Sequence, residues 1–154
     1  MTSRCDCARA LRRGGFTVVE LLIAVTIVGI LATIAVPQYG SYITRSRILD
    51  AFAKLSDYRT RMEQYFLDRR SYIDDTGACG VAPAPSPATA DAFQVACTAT
   101  ARSFVYTAIG IDAKGMARFI YTIDDTGKHV TVSLPNGWTR NAECWTIRAD
   151  GSCV

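Results

Sequence analysis

Four groups of residues in this sequence could do chemistry. The triplet Asp-Thr-Gly occurs twice, as Asp75-Thr76-Gly77 and Asp125-Thr126-Gly127. Two carboxylates that share one proton can act as acid and base in peptide hydrolysis. Such a dyad needs apolar flanks to bury it, yet each triplet follows another aspartate, Asp74 or Asp124, and Asp with Gly is turn chemistry. His129 is the one histidine. No Ser-His-Asp or Cys-His set can be assembled around it, and it reads as a surface residue at the start of a strand. The sequence contains no glycine-rich phosphate loop, His-Glu-x-x-His or paired Cys-x-x-Cys, the patterns that would hold phosphate or zinc. Cys5-Asp6-Cys7 reads as incidental. Neither an enzyme, a cofactor nor a metal site is expected.

The second group could grip nucleic acid. Lys128, His129, Arg140 and Arg148 fall in the C-terminal third, with Trp138 and Trp145 nearby. Basic groups bind phosphates, and aromatic rings stack on bases. Against this, residues 76–154 hold six basic and six acidic side chains, whereas strong non-specific DNA affinity needs an asymmetric basic surface. The third group is the cysteines. Of six, Cys79, Cys97, Cys144 and Cys153 lie beyond the N-terminal region. In an oxidising compartment they suggest two disulfides with three possible connectivities. Proximity favours Cys79–Cys97 and Cys144–Cys153. The fourth is Glu20, the single charge among the 21 residues from Phe16 to Val36. A carboxylate inside a bilayer is costly, by roughly 3 kcal/mol at the centre, and signals function.

The elements that must position these groups follow from the pattern. Phe16–Val36 is long enough to span a bilayer as a helix, which takes about 20 residues. Arg4, Arg9, Arg12 and Arg13 precede it and, set against Asp6, account for the whole net charge of +3. A positive flank stays cytoplasmic, which places residues 38–154 outside. Residues 1–15 read as a leader, because the small residues Gly14 and Gly15 precede the apolar run and no Ala-x-Ala-like site follows it. Gly29 and Pro37 are weak points of the helix, and Pro37 should bend or break it. Helical patterning resumes to about Arg70, with Ile48, Phe52, Leu55, Met62 and Tyr65 on one face and an Asp50–Lys54 pair in the favourable order. Residues 71–100 read as irregular, with a polyproline-like loop over Ala82–Pro87. Strands are expected over Ser103–Ile111, Met116–Ile123 and His129–Leu134, joined by glycine turns as an antiparallel meander. A last short strand is expected over Cys144–Ile147.

The stretch Gly15-Phe16-Thr17-Val18-Val19-Glu20, followed by Leu21-Leu22-Ile23-Ala24-Val25, closely resembles the class III leader and N-terminus of type IV pilins and type II secretion pseudopilins. The resemblance implies an α+β fold, a long N-terminal helix packed on a C-terminal antiparallel sheet. It implies removal of residues 1–15 by prepilin peptidase, which cuts between Gly15 and Phe16, and N-methylation of Phe16. It implies that Glu20 pairs with the new amine of a neighbouring subunit, and that Gly29 and Pro37 mark places where pilin helices bend or melt. Residues 16–37 would then be the transmembrane and assembly helix, and 38–154 the exported globular domain. Cys144–Cys153 matches the C-terminal disulfide loop. The ending, Pro135-Asn-Gly-Trp138 through Cys144-Trp145 to Gly151-Ser-Cys153, is similar to minor type IV pilins, a group that includes DNA-binding competence pilins. The expectation is a minor pilin, single-pass in the inner membrane and then part of an extracellular pilus serving twitching motility, adhesion or pilus biogenesis. Its partners would be other pilin subunits. The alternatives are a DNA receptor for transformation and a type II secretion pseudopilin. Major pseudopilins commonly bind calcium and lack this disulfide pattern.

Overall fold

The computed structural model describes residues 16–84 and 91–154. Its elements run in the order α1 (Val18–Arg69), β1 (Phe93–Ala99), β2 (Phe104–Gly110), a 3-10 turn (Asp112–Lys114), β3 (Ile120–Asp124) and β4 (His129–Ser133). The chain parts into two compact units between Tyr39 and Gly40, and α1 contributes to both. The residues of the first unit before Pro37 are exposed throughout, in a helix long and apolar enough to cross a membrane.

Helix α1 begins as its sequence dictates. Thr17 takes the N-cap position, where its Oγ1 accepts the N–H of Glu20 (3.2 Å). Thr-x-x-Glu is the capping-box pattern, which satisfies donors that have no partner in the first turn. At the other end, Arg70 adopts φ +57°, and its N–H donates to the carbonyl of Phe66 (2.8 Å). This is a left-handed closure that normally favours glycine. The helical backbone runs through Pro37 without a break. A proline in a helix interior forfeits one backbone hydrogen bond, and the turns on either side keep theirs.

In the second unit the four strands form one antiparallel sheet in the order β1-β2-β3-β4. Alternation along each strand sends Phe93, Phe104, Tyr106, Ala108, Tyr121, Ile123 and Thr131 inward. The helix answers with Ile48, Ala51, Phe52, Leu55 and Met62, all buried, and a half-buried Tyr65. Fully burying such apolar side chains is worth about 1.5–3 kcal/mol each, so this helix–sheet layer holds the unit together. Lys54 pairs with Asp50 (3.2 Å), as its spacing predicts, and also with Asp91 across the fold.

Three expectations are corrected. The stretch read as irregular contains β1, which pairs with β2 over seven positions from Phe93↔Gly110 to Ala99↔Phe104. Its Phe-Gln-Val-Ala-Cys-Thr-Ala run is poor in β-branched residues, and pairing with burial of Phe93 supplies what propensity lacks. Residues 116–119 are not strand. Met116 and Phe119 are buried beneath a turn instead, and the carbonyl of Met116 lies against Gly110, where a Cβ would collide with it. Residues 144–147 form only an isolated bridge, Thr146 to Cys153. Of the proline-rich loop, Ala84 donates its N–H to the Tyr58 hydroxyl (3.1 Å); residues 85–90 lie outside the described residues.

Candidate functional site

The disulfides are Cys79–Cys97 and Cys144–Cys153. The first ties the loop after α1 to β1. The second closes the C-terminal segment, which is bound to the sheet by hydrogen bonds. The hydroxyl of Tyr121 donates to Thr146 O (2.9 Å), the indole N–H of Trp145 to Thr122 O (2.8 Å), and Thr131 Oγ1 to Cys144 O (2.6 Å). The N–H of Thr146 in turn donates to Thr131 Oγ1 (2.9 Å). Buried polar groups cost free energy unless paired, and this network is why Thr131 and Thr146 can be completely buried.

The two Asp-Asp-Thr-Gly sequences form the same turn. Asp74 Oδ1 accepts the N–H and hydroxyl of Thr76 and the N–H of Ala78. Asp124 Oδ1 accepts the Thr126 hydroxyl and the Lys128 N–H. The Thr76 hydroxyl, then the backbone donors, hold Asp74 below the usual carboxylate range. Burial pushes Asp124 up, but the same kind of hydrogen bonds outweigh it, and its net shift is downward. Gly77 and Gly127 take φ +82° and +79°. Both triplets are turns whose first aspartate organises the backbone.

The four basic candidates from the C-terminal third make different contacts. Lys128 is exposed in the turn between β3 and β4. His129 lies flat on Trp145, ring centroids 3.8 Å apart. Burial first, then the Arg59 guanidinium, lower its pKa, while Asp124 opposes them. Arg140 reaches the carbonyls of Thr131 (3.5 Å) and Val132 (3.4 Å), covering backbone acceptors of the strand at the sheet edge. Arg148 is exposed within the loop closed by Cys144–Cys153, next to Ala149, whose carbonyl accepts the N–H of Thr139 (2.9 Å).

A different basic group is assembled by three loops at one end of the sheet. The N–H of Tyr72 donates to Ala101 O (3.3 Å), and that of Asp125 to Phe104 O (3.2 Å). These bonds join the end of α1, the β1–β2 turn and the β3–β4 turn. These joined segments carry Arg69, Arg70, Arg102 and Lys128, all exposed. Among the described residues the three arginines form no salt bridge, unlike Arg59 with Glu63 (2.6 Å) and Arg61 with Asp57 (2.9 Å). Thr100 and Ser103 add hydroxyls, their oxygens 2.8 Å apart. Asp68 in the last turn of α1 and Asp75 and Asp125 on the loops add acidic groups, while Asp74 and Asp124 are engaged within their turns. Arginine and hydroxyl donors are the groups that contact phosphates. Sequence reading missed this group because Arg69 and Arg70 lie more than thirty positions from Arg102. The signal present was only that neither Arg69 nor Arg70 has an acidic residue four positions before it on the helix to pair with.

At the N-terminus, Phe16 is 81% exposed and Gly29 has nothing within 4 Å of where a Cβ would sit. Gly15 and the segment before it lie outside the described residues.

Comparison with known proteins places these features. A family model described as type IV minor pilin ComP, DNA uptake sequence receptor, matches residues 37–118, more than half of the chain. The prokaryotic N-terminal methylation motif matches residues 11–36. The fimbrial protein EcpC of Eikenella corrodens is 38% identical over 68 residues, 44% of each protein. The type IV major pilin protein PilE1 of Neisseria gonorrhoeae is 35% identical over 72 residues, 47% of this chain and 44% of that one. The type IV major fimbrial protein FimA of Dichelobacter nodosus is 48% identical over 60 residues, 39% of this chain and 38% of that one. Each match spans less than half the length of the relative.

Proposed function

Because the chain belongs to the type IV minor pilin ComP family, we propose that it is a filament subunit that also receives DNA at the cell surface. The family is a structural one, and the apolar helix and methylation motif fit a membrane-anchored pilin. In this reading prepilin peptidase cuts between Gly15 and Phe16, the amine of Phe16 is methylated, and Phe16–Val36 holds the subunit in the inner membrane. Assembly then moves the helix into a pilus, where Glu20 meets the amine of a neighbouring subunit. A carboxylate opposite an ammonium in an apolar surrounding is held strongly, and leaving either unpaired there is costly.

The observation that carries the DNA reading is the convergence of Arg69, Arg70, Arg102 and Lys128 on one end of the sheet. Phosphate contacts set the register of a protein on DNA. With Asp68, Asp75 and Asp125 nearby, the surface is mixed rather than uniformly basic, which suits selective rather than indiscriminate binding. The test is a gel-shift titration of the full processed chain in detergent against salt, with Arg69, Arg70 and Arg102 replaced by glutamine singly and together. Binding that weakens stepwise, with a shallower salt dependence, supports the site. Undiminished binding by the triple variant places the DNA elsewhere, and no binding by the parent protein at low salt ends the reading.

A further inference from the structure

The chain holds two asparagines, Asn136 and Asn141, and their surroundings differ in a way that matters chemically. Pro135-Asn136-Gly137-Trp138 is a turn closed by the Trp138 N–H on Pro135 O (3.3 Å), with Gly137 at φ +86°. That conformation asks for glycine at the third position. Asn136 is exposed, and nothing lies within 4 Å of a Cβ built on Gly137, so neither residue of the Asn-Gly step is crowded. Arg118, itself held at φ +69°, points its Nη1 at Asn136 Oδ1 (3.5 Å).

We propose that Asn136 is a site of spontaneous covalent modification, in which the Gly137 backbone nitrogen attacks Cγ of Asn136. The nitrogen loses its proton and forms a bond to Cγ. The Cγ–Nδ2 bond breaks, and Nδ2 leaves as ammonia carrying that proton. Water then opens the five-membered imide at either carbonyl, giving aspartate or isoaspartate. No oxidant or reductant is involved. The nucleophile is tethered next to its target, glycine offers no side chain to shield it, and the Arg118 guanidinium faces the oxygen on which charge develops.

The same loop segment supplies its own controls. Asn141 is followed by Ala142, and its Oδ1 is occupied by the Glu143 N–H (3.0 Å). Asp150-Gly151 is an acidic counterpart, but Asp150 Oδ1 accepts the Ser152 N–H (2.8 Å). The Ser152 hydroxyl first, then that backbone bond, holds it as a carboxylate, a poor electrophile. Conversion of Asn136 sets an anion beside Arg118. Isoaspartate also lengthens the backbone next to Trp138, whose ring packs edge-on to Phe119 at 5.0 Å.

The test is to incubate the full chain, folded in detergent, in mildly alkaline buffer and to map peptides by mass and by isoaspartyl methyltransferase labelling. The amide-to-acid mass change is expected at Asn136 and not at Asn141. Asn136→Gln abolishes it, and Arg118→Gln slows it several-fold. If Asn136 keeps its amide in the folded protein while urea-unfolded protein converts it, the turn protects the residue and the proposal is overturned. An Arg118→Gln rate equal to the parent's overturns the part given to Arg118.

Discussion

The imidazole of His129 lies face to face with the indole of Trp145, ring planes within 12° and centroids 3.8 Å apart. Trp145 also stacks on Phe52 of the helix, at 4.5 Å and 19°. The helix, the start of β4 and the C-terminal disulfide segment are therefore joined through three parallel rings. Arg59 of the helix lies against Gly127 in the preceding turn, 3.3 Å from where a Cβ would sit. Its charge bears on His129, as does that of Asp124.

This arrangement predicts a pH dependence. Burial and Arg59 hold the His129 pKa below its ordinary value, so the unfolded chain binds the proton more readily than the folded one. Stability is then complete above the unfolded histidine pKa of about 6.5 and declines as pH falls below it. Denaturant titrations across pH should show that decline, and His129→Gln should flatten it. The lowered pKa values of Asp74, Asp124 and Asp150 act in a separate window. Their contributions are lost only below the unfolded carboxylate value of about 3.9. A parent protein whose stability is level from neutral pH down to that range contradicts the role given to His129.

Phe52→Ala should cost about 3–5 kcal/mol, the range for a buried aromatic, because the ring touches both Trp145 and Tyr121 (4.8 Å). Loss of near-ultraviolet dichroism together with a lowered denaturation midpoint is the expected result. A cost below that of a surface substitution would show that Trp145 is held by its own hydrogen bond to Thr122 alone.

Removing either disulfide as a Cys→Ser pair should lower stability by about 3 kcal/mol in the chain-entropy account. The separations are 18 residues for Cys79–Cys97 and 9 for Cys144–Cys153, so the first pair should cost slightly more. Equilibrium unfolding of the two double variants tests the ranking. The Cys144→Ser/Cys153→Ser variant should also loosen Trp145, visible as a red-shifted emission.

Charge removal should separate Arg69, Arg70 and Arg102 from Arg140 and Arg148. Each of Arg69, Arg70 and Arg102 that grips a phosphate should, once replaced by glutamine, reduce the slope of log affinity against log salt by about 0.9. Arg140→Gln and Arg148→Gln should leave that slope unchanged, since one guanidinium is turned to strand carbonyls and the other is carried on the loop closed by Cys144–Cys153. Equal weakening from both sets would mean a diffuse field rather than a defined surface.

Glu20→Ala should leave a membrane-inserted, processed subunit that enters filaments poorly. Immunodetection in sheared filaments against the membrane fraction measures it, and normal incorporation would sink the assembly role. The Thr17 cap bonds to the backbone N–H of residue 20, so alanine keeps that bond and the helix start. Thr17→Val, by contrast, should loosen the first turn while retaining the carboxylate.

What the sequence determined by itself is everything that depends on local order. The apolar run of Phe16–Val36 with its capping box, the buried helix stripe of Ile48, Phe52, Leu55 and Met62, and the turns of the meander are each written in spacing and propensity. Strand β1 was illegible because Phe93–Ala99 is poor in β-branched residues and exists through its partner β2. His129, Arg140 and Arg148 looked like a set because they are close in sequence. Tertiary structure alone sent one onto an aromatic stack, one onto a strand edge and one onto the C-terminal disulfide loop. It alone joined Arg69 and Arg70 to Arg102, because hydrogen bonds between loops, here Tyr72 to Ala101, carry no periodic trace. Spacing sets which residues share a face of one element; only the packing of elements sets which loops meet.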